Sequence, residues 1–230
     1  MAENDLQLED YRLRIGAREW SVLHSKALIT FVDEQHFLGE PDRLPYGLML
    51  WPASIALAHE IANHAQSLRG ARVLELGAGT GVPGIVASSF GARVTQTDRH
   101  EQALDLCRVN GARNCVEGIE YCVGDWAQWD DETRYDWIIG ADILYSESTQ
   151  AHLRRIFETN LAPNGRMLLS DPLRLSSVRF LETLDGHGWQ LTMSKWTIGE
   201  GEHARTIGVF ELTRATAGQA ANSLSSPRKL

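Results

Sequence analysis

Val73-Leu74-Glu75-Leu76, followed at once by Gly77-Ala78-Gly79-Thr80-Gly81, reads as a short apolar strand running into a glycine-rich turn. Glycines at a strand's end let the chain turn sharply and let its backbone approach a ligand closely. Gly79, Gly81 and Gly84 also satisfy the G-x-G-x-x-G spacing of dinucleotide sites. Taken alone, the loop therefore fits either a dinucleotide or a nucleoside-type methyl donor.

From Ala71 onward the chain alternates short strands with helices. Strands are expected at 72–76, 93–97, 119–123, 135–140 and 166–170, and helices at 83–90, 101–110, 150–161 and 177–187. A turn is expected at Pro163-Asn164-Gly165. Such alternation argues for a mostly parallel sheet with helices on both faces. The pattern breaks at the end. Segments 189–198 and 205–213 are two strands joined too closely for a helix, so they form an antiparallel hairpin. The fold expected is α/β, a Rossmann-like seven-stranded sheet. Residues 1–70 would form an extension packed on that core, with a hairpin near Tyr11–Leu23, a loop through Gly39, Pro41 and Pro45, and a helix over 52–66 with Pro52 in its first turn. Residues 71–214 would form the ligand-binding domain. Residues 215–230, rich in Ala, Ser and Gly, read as a disordered tail.

Carboxylates narrow the ligand. Glu75 precedes the glycines, Asp98 ends the next strand, Asp125 follows the third in Gly124-Asp125-Trp126, and Asp142 follows the fourth in Gly140-Ala141-Asp142-Ile143-Leu144-Tyr145. Ligands of open α/β sheets bind beyond those strand ends. Glu75 cannot favour a pyrophosphate but can attract an ammonium group. Asp98 can accept both hydroxyls of a ribose, a feature shared with NAD sites. Asp125 can accept from an adenine amino group while Trp126 packs on the ring. Four acidic strand ends suit a cationic, sulfonium-bearing cofactor, S-adenosylmethionine, better than an anionic dinucleotide. Plainer roles exist for some of these residues. Trp51 can pack a helix start, Asp125-Trp126 can be a turn with a core aromatic, and Asp142 and Tyr145 can cap the helix that follows.

Bulk properties bound the partners. The 230 residues carry a formal net charge of −8 and show no basic stripe, so a nucleic-acid partner is not expected and a basic protein partner is better suited. No run of apolar residues is long enough for a transmembrane helix, and the N-terminal MAENDLQLED lacks a signal-peptide core. Cys107, Cys115 and Cys122 form no C-x-x-C pair, which fits reduced thiols and a cytoplasmic setting. His59 and His64 are five residues apart, which puts them on different faces of a helix, so no metal site is expected.

Residues 74–81, Gly124-Asp125-Trp126 and Ala141-Asp142-Ile143-Leu144-Tyr145, with Leu50-Trp51-Pro52-Ala53 upstream, resemble the seven-strand protein-lysine methyltransferases that carry a D-x-x-Y motif after the fourth strand. The resemblance spans about residues 11–213. It implies that Trp51 lines the methionine end of the cofactor and that Gly77, Ala78 and Gly79 hold it through their backbone, beside Gly81. It further implies that Asp98 binds the ribose, Trp126 the adenine, and Ala141 the cofactor through its main chain. Asp142 and Tyr145 would border the channel by which a lysine enters. Some members of this group modify arginine. A small-molecule N- or O-methyltransferase, a reductase and a non-catalytic binding protein on the same scaffold are the other readings. A methylase of nucleic-acid bases is disfavoured because Asp142-Ile143-Leu144-Tyr145 lacks the two prolines of the N/D-P-P-Y/F motif.

Overall fold

The computed structural model describes residues 7–26, 46–185 and 188–215. The loop through Gly39, Pro41 and Pro45 and nearly all of the 215–230 tail lie outside the described residues.

Strands β1 (Leu8–Ile15) and β2 (Arg18–Ser25) form a separate antiparallel hairpin. Helix α1 (Pro52–Asn63) starts with Pro52 in its first turn. The helix expected over 52–66 is interrupted at His64, and a single turn, α2 (Ala65–Leu68), follows. At that break the His64 ring sits against Trp137, with ring centroids 5.2 Å apart, and Leu68 becomes fully buried. Then come β3 (Arg72–Leu76), α3 (Val82–Ser89), β4 (Arg93–Asp98), α4 (Glu101–Arg113), β5 (Glu120–Val123), β6 (Tyr135–Ala141), α5 (Glu147–Asn160), β7 (Leu161–Asp171), α6 (Leu175–Asp185), β8 (Trp189–Ile198) and β9 (Arg205–Arg214).

The last seven-strand order is β5-β4-β3-β6-β7-β9-β8, with β5 through β7 parallel and β9 antiparallel to both its neighbours. The chain leaves β3 in one direction through β4 and β5 and returns to pair β6 on the other side of β3. That reversal opens a crevice beyond the carboxyl ends of β3 and β6, where doubly wound sheets bind ligands.

Alternation along the strands divides the core. Val73, Val94, Trp137, Ile139, Leu168 and Val209 pack on one face with α1, α3 and the hairpin residues Leu13, Trp20 and Val22. Leu74, Leu76, Ile138, Met167, Leu169 and Phe210 pack on the other with α5 and α6. Helices therefore cover both faces.

Two local expectations change. The Pro163-Asn164-Gly165 turn is absorbed into β7 as a register shift: Tyr135 pairs Leu161, but two residues later Trp137 pairs Arg166. Helix α4 also runs past Asn110-Gly111, a pair that reads as a helix stop. Tertiary bonds explain the extension. Asn110 accepts from Leu23 N at 2.8 Å and donates to Leu23 O at 3.0 Å, and Asn114 does the same for Ser21 at 2.8 and 2.7 Å. One helical turn thus completes the backbone hydrogen bonds of the open edge of β2. Asn110 also donates to Thr80 O at 2.9 Å, which ties the hairpin to the glycine loop.

Candidate active site

The glycine loop between β3 and α3 takes a path open to few other residues. Gly77, Gly79 and Gly81 all have positive φ, at 64°, 56° and 78°. Crowding adds to this at Gly77, where a Cβ would stand 3.0 Å from Ile143 and 3.4 Å from the Trp126 ring. The loop is held from below. Ala78 N donates to Thr97 O at 2.9 Å, Cys107 Sγ to Gly79 O at 3.2 Å, and Gln96 Nε2 to Gly81 O at 2.8 Å.

A cavity of about 390 Å³ opens beyond the strand ends, within the range of small-molecule sites. Trp51, Gly77, Ala78, Gly79, Asp98, Asp125, Trp126, Ala141, Asp142 and Tyr145 line it. Residues as far as 94 positions apart in sequence, Trp51 and Tyr145, are thereby brought to one place. Two expected residues stand elsewhere. Gly81 serves the loop from beneath, with Cys107 Sγ 2.9 Å from where its Cβ would be. Glu75 is only 1% exposed and does not line the cavity. Its Oε2 accepts from Gln96 Nε2 at 2.6 Å and from Gly84 N at 3.1 Å. The expectation of an ammonium-facing Glu75 is thus corrected to a buried brace under the loop.

Asp98 is 7% exposed, and its Oδ2 accepts from Gly79 N while Oδ1 accepts from His100 N, both at 3.0 Å. A carboxylate offers about four lone-pair sites, so acceptor capacity remains for a pair of hydroxyls in the cavity. Burial pushes its carboxyl up from the usual range, against the pull of the His100 and Gly79 amides. Asp125 caps the short 3-10 turn Trp126–Gln128 by accepting from Ala127 N at 2.9 Å, so it has its plainer role and a place at the cavity together. Trp126 is half-buried against the core while lining the cavity. Trp51 occupies the N-cap position of α1 without a side-chain cap bond. The N-cap position of α5 is held by Ser146.

Burial pushes the Glu75 carboxyl up to about 8, despite the Gln96 and Gly84 donors, and the neighbouring Asp98 charge acts in the same direction. The folded chain therefore holds a proton that the unfolded chain releases near 4.5. The stability this gives is complete below that point and is lost as pH rises toward 8. Glu75→Gln keeps an acceptor oxygen and discards the charge. It is expected to raise Tm by several degrees at about pH 9 and to leave it nearly unchanged at about pH 4.5. Calorimetric scans at both pH values check this, and equal shifts at the two would show that the charge is not the cause.

Several contributors carried little sequence signal. Met49, His100, Thr149 and His152 line the cavity, and none belongs to a glycine or strand-end motif. Asp171 ends β7 and is fully buried; the rule that found the other strand-end carboxylates also finds this one. Arg174 forms an ion pair with Asp142 and a second with Asp171 at 3.1 Å. His59 stacks on Trp196, with centroids 5.1 Å apart, and His64 pairs with Glu60 at 3.7 Å.

A buried carboxylate, an aromatic wall and a close-approach glycine backbone sharing one cavity fit a nucleoside-type ligand. Residues 39–186 match the model of the lysine methyltransferase family. Protein N-lysine methyltransferase METTL21A of Danio rerio is 37% identical over 150 residues, covering 62% of this chain and 68% of that one. Histone-arginine methyltransferase METTL23 of Xenopus laevis is 32% identical over 146 residues, covering 60% and 61%. The crystal structure of magnesium protoporphyrin IX methyltransferase from Synechocystis, with bound SAM, superposes with a TM-score of 0.57 at 17% identity, covering 83% of this chain and 87% of that one, a likeness of fold. With its site and its seven-stranded sheet agreeing with that match, the chain belongs to the lysine methyltransferase family and is an S-adenosylmethionine-dependent methyltransferase.

Proposed function

We propose that this enzyme transfers a methyl group from S-adenosylmethionine to the ε-amine of a lysine on a protein. The observation that carries the reading is that Asp142 and Tyr145 line the same cavity as Asp98 and Trp126, so acceptor and donor groups share one enclosure. The lysine methyltransferases among the relatives support it, and the net charge of −8 favours a basic partner.

When bound, S-adenosylmethionine supplies a methyl carbon already activated by sulfonium. The protein's work is then alignment, a proximity effect. Asp98 would hold the ribose hydroxyls, Trp126 would flank the adenine with Asp125 near its amino group, and the Gly77–Gly79 and Ala141 backbones would hold the remainder, with Trp51 toward the methionine end. Glu75 and Gly81 act through the loop. A lysine amine, with an unperturbed pKa of roughly 10.4, must arrive without its extra proton. Tyr145 and Trp51 provide a desolvating wall that favours the neutral amine, and Asp142 orients it. The free Cys107, Cys115 and Cys122 fit a cytoplasmic site of action.

The reading is tested by labelling lysate proteins with radioactive donor and fragmenting the labelled band by mass spectrometry. Methyl groups on lysine are expected. Methyl-arginine would instead favour the activity named for the METTL23 relative, and label confined to small molecules would overturn protein methylation.

A further inference from the structure

We infer that Arg174 is a positioning residue for methyl transfer, fixing the Asp142 carboxylate at the cavity wall. The inference rests on the proposed role of Asp142 toward the acceptor. Arg174 lies in the connection between β7 and α6, 32 residues from Asp142 in sequence. Its Nη1 donates to Asp142 Oδ1 and, at 3.1 Å, to Asp171 Oδ2. The arginine is itself anchored: its backbone N donates to Asp171 Oδ1 at 2.7 Å. Asp171 is wholly buried, and its Oδ2 also accepts from Ser177 Oγ at 2.7 Å. One guanidinium thus bridges a structural carboxylate and a cavity carboxylate.

The turn that carries Asp142 needs such support. Asp142 has φ +59°, a left-handed conformation uncommon outside glycine that aspartate enters more readily than most residues. Strained residues of this kind persist where their surroundings hold them. Asp142 N donates to Ser170 O at 2.8 Å. Two residues on, Leu144 O accepts from Gln150 Nε2 at 3.1 Å and Ser177 Oγ at 3.2 Å. Arg174, Ser177 and Gln150 therefore grip the Asp142–Tyr145 turn, and none of the three lines the cavity.

Both carboxylates meet the same nitrogen, Nη1, at the end of a planar, pre-organised group, and the shorter, freely rotating lysine stem does not fix a charge there in the same way. Arg174→Lys is expected to bind S-adenosylmethionine with a Kd within about threefold of wild type while kcat falls tenfold or more. Arg174→Ala is expected to lose about a hundredfold in kcat, and added guanidinium ion is expected to restore part of it. Transfer is measured from radioactive donor to the acceptor band found by labelling, whichever residue it carries. A wrong lysine assignment then shows in the product and a wrong clamp in the rate. Arg174→Lys at the wild-type rate would overturn the inference. So would a loss of cofactor binding that parallels the loss of rate, or an Arg174→Ala protein that guanidinium does not rescue, because either outcome marks a merely structural role.

Discussion

Asp98→Ala is expected to weaken S-adenosylmethionine binding by about a hundredfold or more while leaving the fold intact. A carboxylate that accepts two ribose hydroxyls makes two charge-assisted bonds, each contributing about 1.5 kcal/mol or more. Their sum, about 3 kcal/mol, is a little over two decades in Kd. Stability should change far less, because two effects oppose. The variant orphans the Gly79 and His100 amides that now bind Asp98, but it also removes a buried carboxyl whose ionisation burial disfavours. Calorimetric titration with S-adenosylmethionine, and with NADH as the competing ligand, checks the prediction. Retention of wild-type affinity would remove Asp98 from the cofactor site, and a preference for NADH would contradict the cofactor assignment itself.

The largest effect on stability is expected at Gly84→Ala. Gly84 lies within α3, where alanine is otherwise favoured over glycine by about 1 kcal/mol. The added methyl would stand 2.3 Å from Glu75 Oε2 and 2.6 Å from Gln96 Nε2. Those atoms belong to the buried pair that braces the loop, so neither can swing into solvent. Overpacking costs about 1–3 kcal/mol, and breaking the Glu75 hydrogen bonds costs about 1–3 kcal/mol more. The clash therefore outweighs the helix gain, for a net loss of about 1–5 kcal/mol and a fall in Tm of roughly 2–20 °C. Gly70→Ala provides the comparison. Its φ is +76° but a Cβ there meets nothing within 4 Å, so only the backbone term, about 1–2 kcal/mol, applies. If the two variants melt together, the space around the Glu75–Gln96 pair is not what requires glycine at position 84.

The order of strands and helices from Arg72 to Arg214 was legible because each element carries its own periodicity and its own turn residues. Glycines 77, 79 and 81 were legible for the same local reason, and the strand-end carboxylates Asp98, Asp125 and Asp142 followed from one geometric rule about open sheets. Element ends were less legible where distant groups intervene. Helix α4 passes Asn110-Gly111 because β2 supplies partners for Asn110 and Asn114, and α1 breaks at His64, whose ring meets Trp137.

The linear pattern of residues determined the α/β class, the cofactor and ten of the residues that line the cavity, most of which stand at or near a strand's end. Tertiary structure alone decided that Glu75 turns beneath its loop to Gln96 and Gly84, and that Arg174 bridges Asp142 and Asp171. The physical reason is burial. A carboxylate removed from water takes whichever donor packing brings within reach, and the separation in sequence of those donors, 21 residues for Gln96 and 32 for Arg174, leaves no local trace of the pairing.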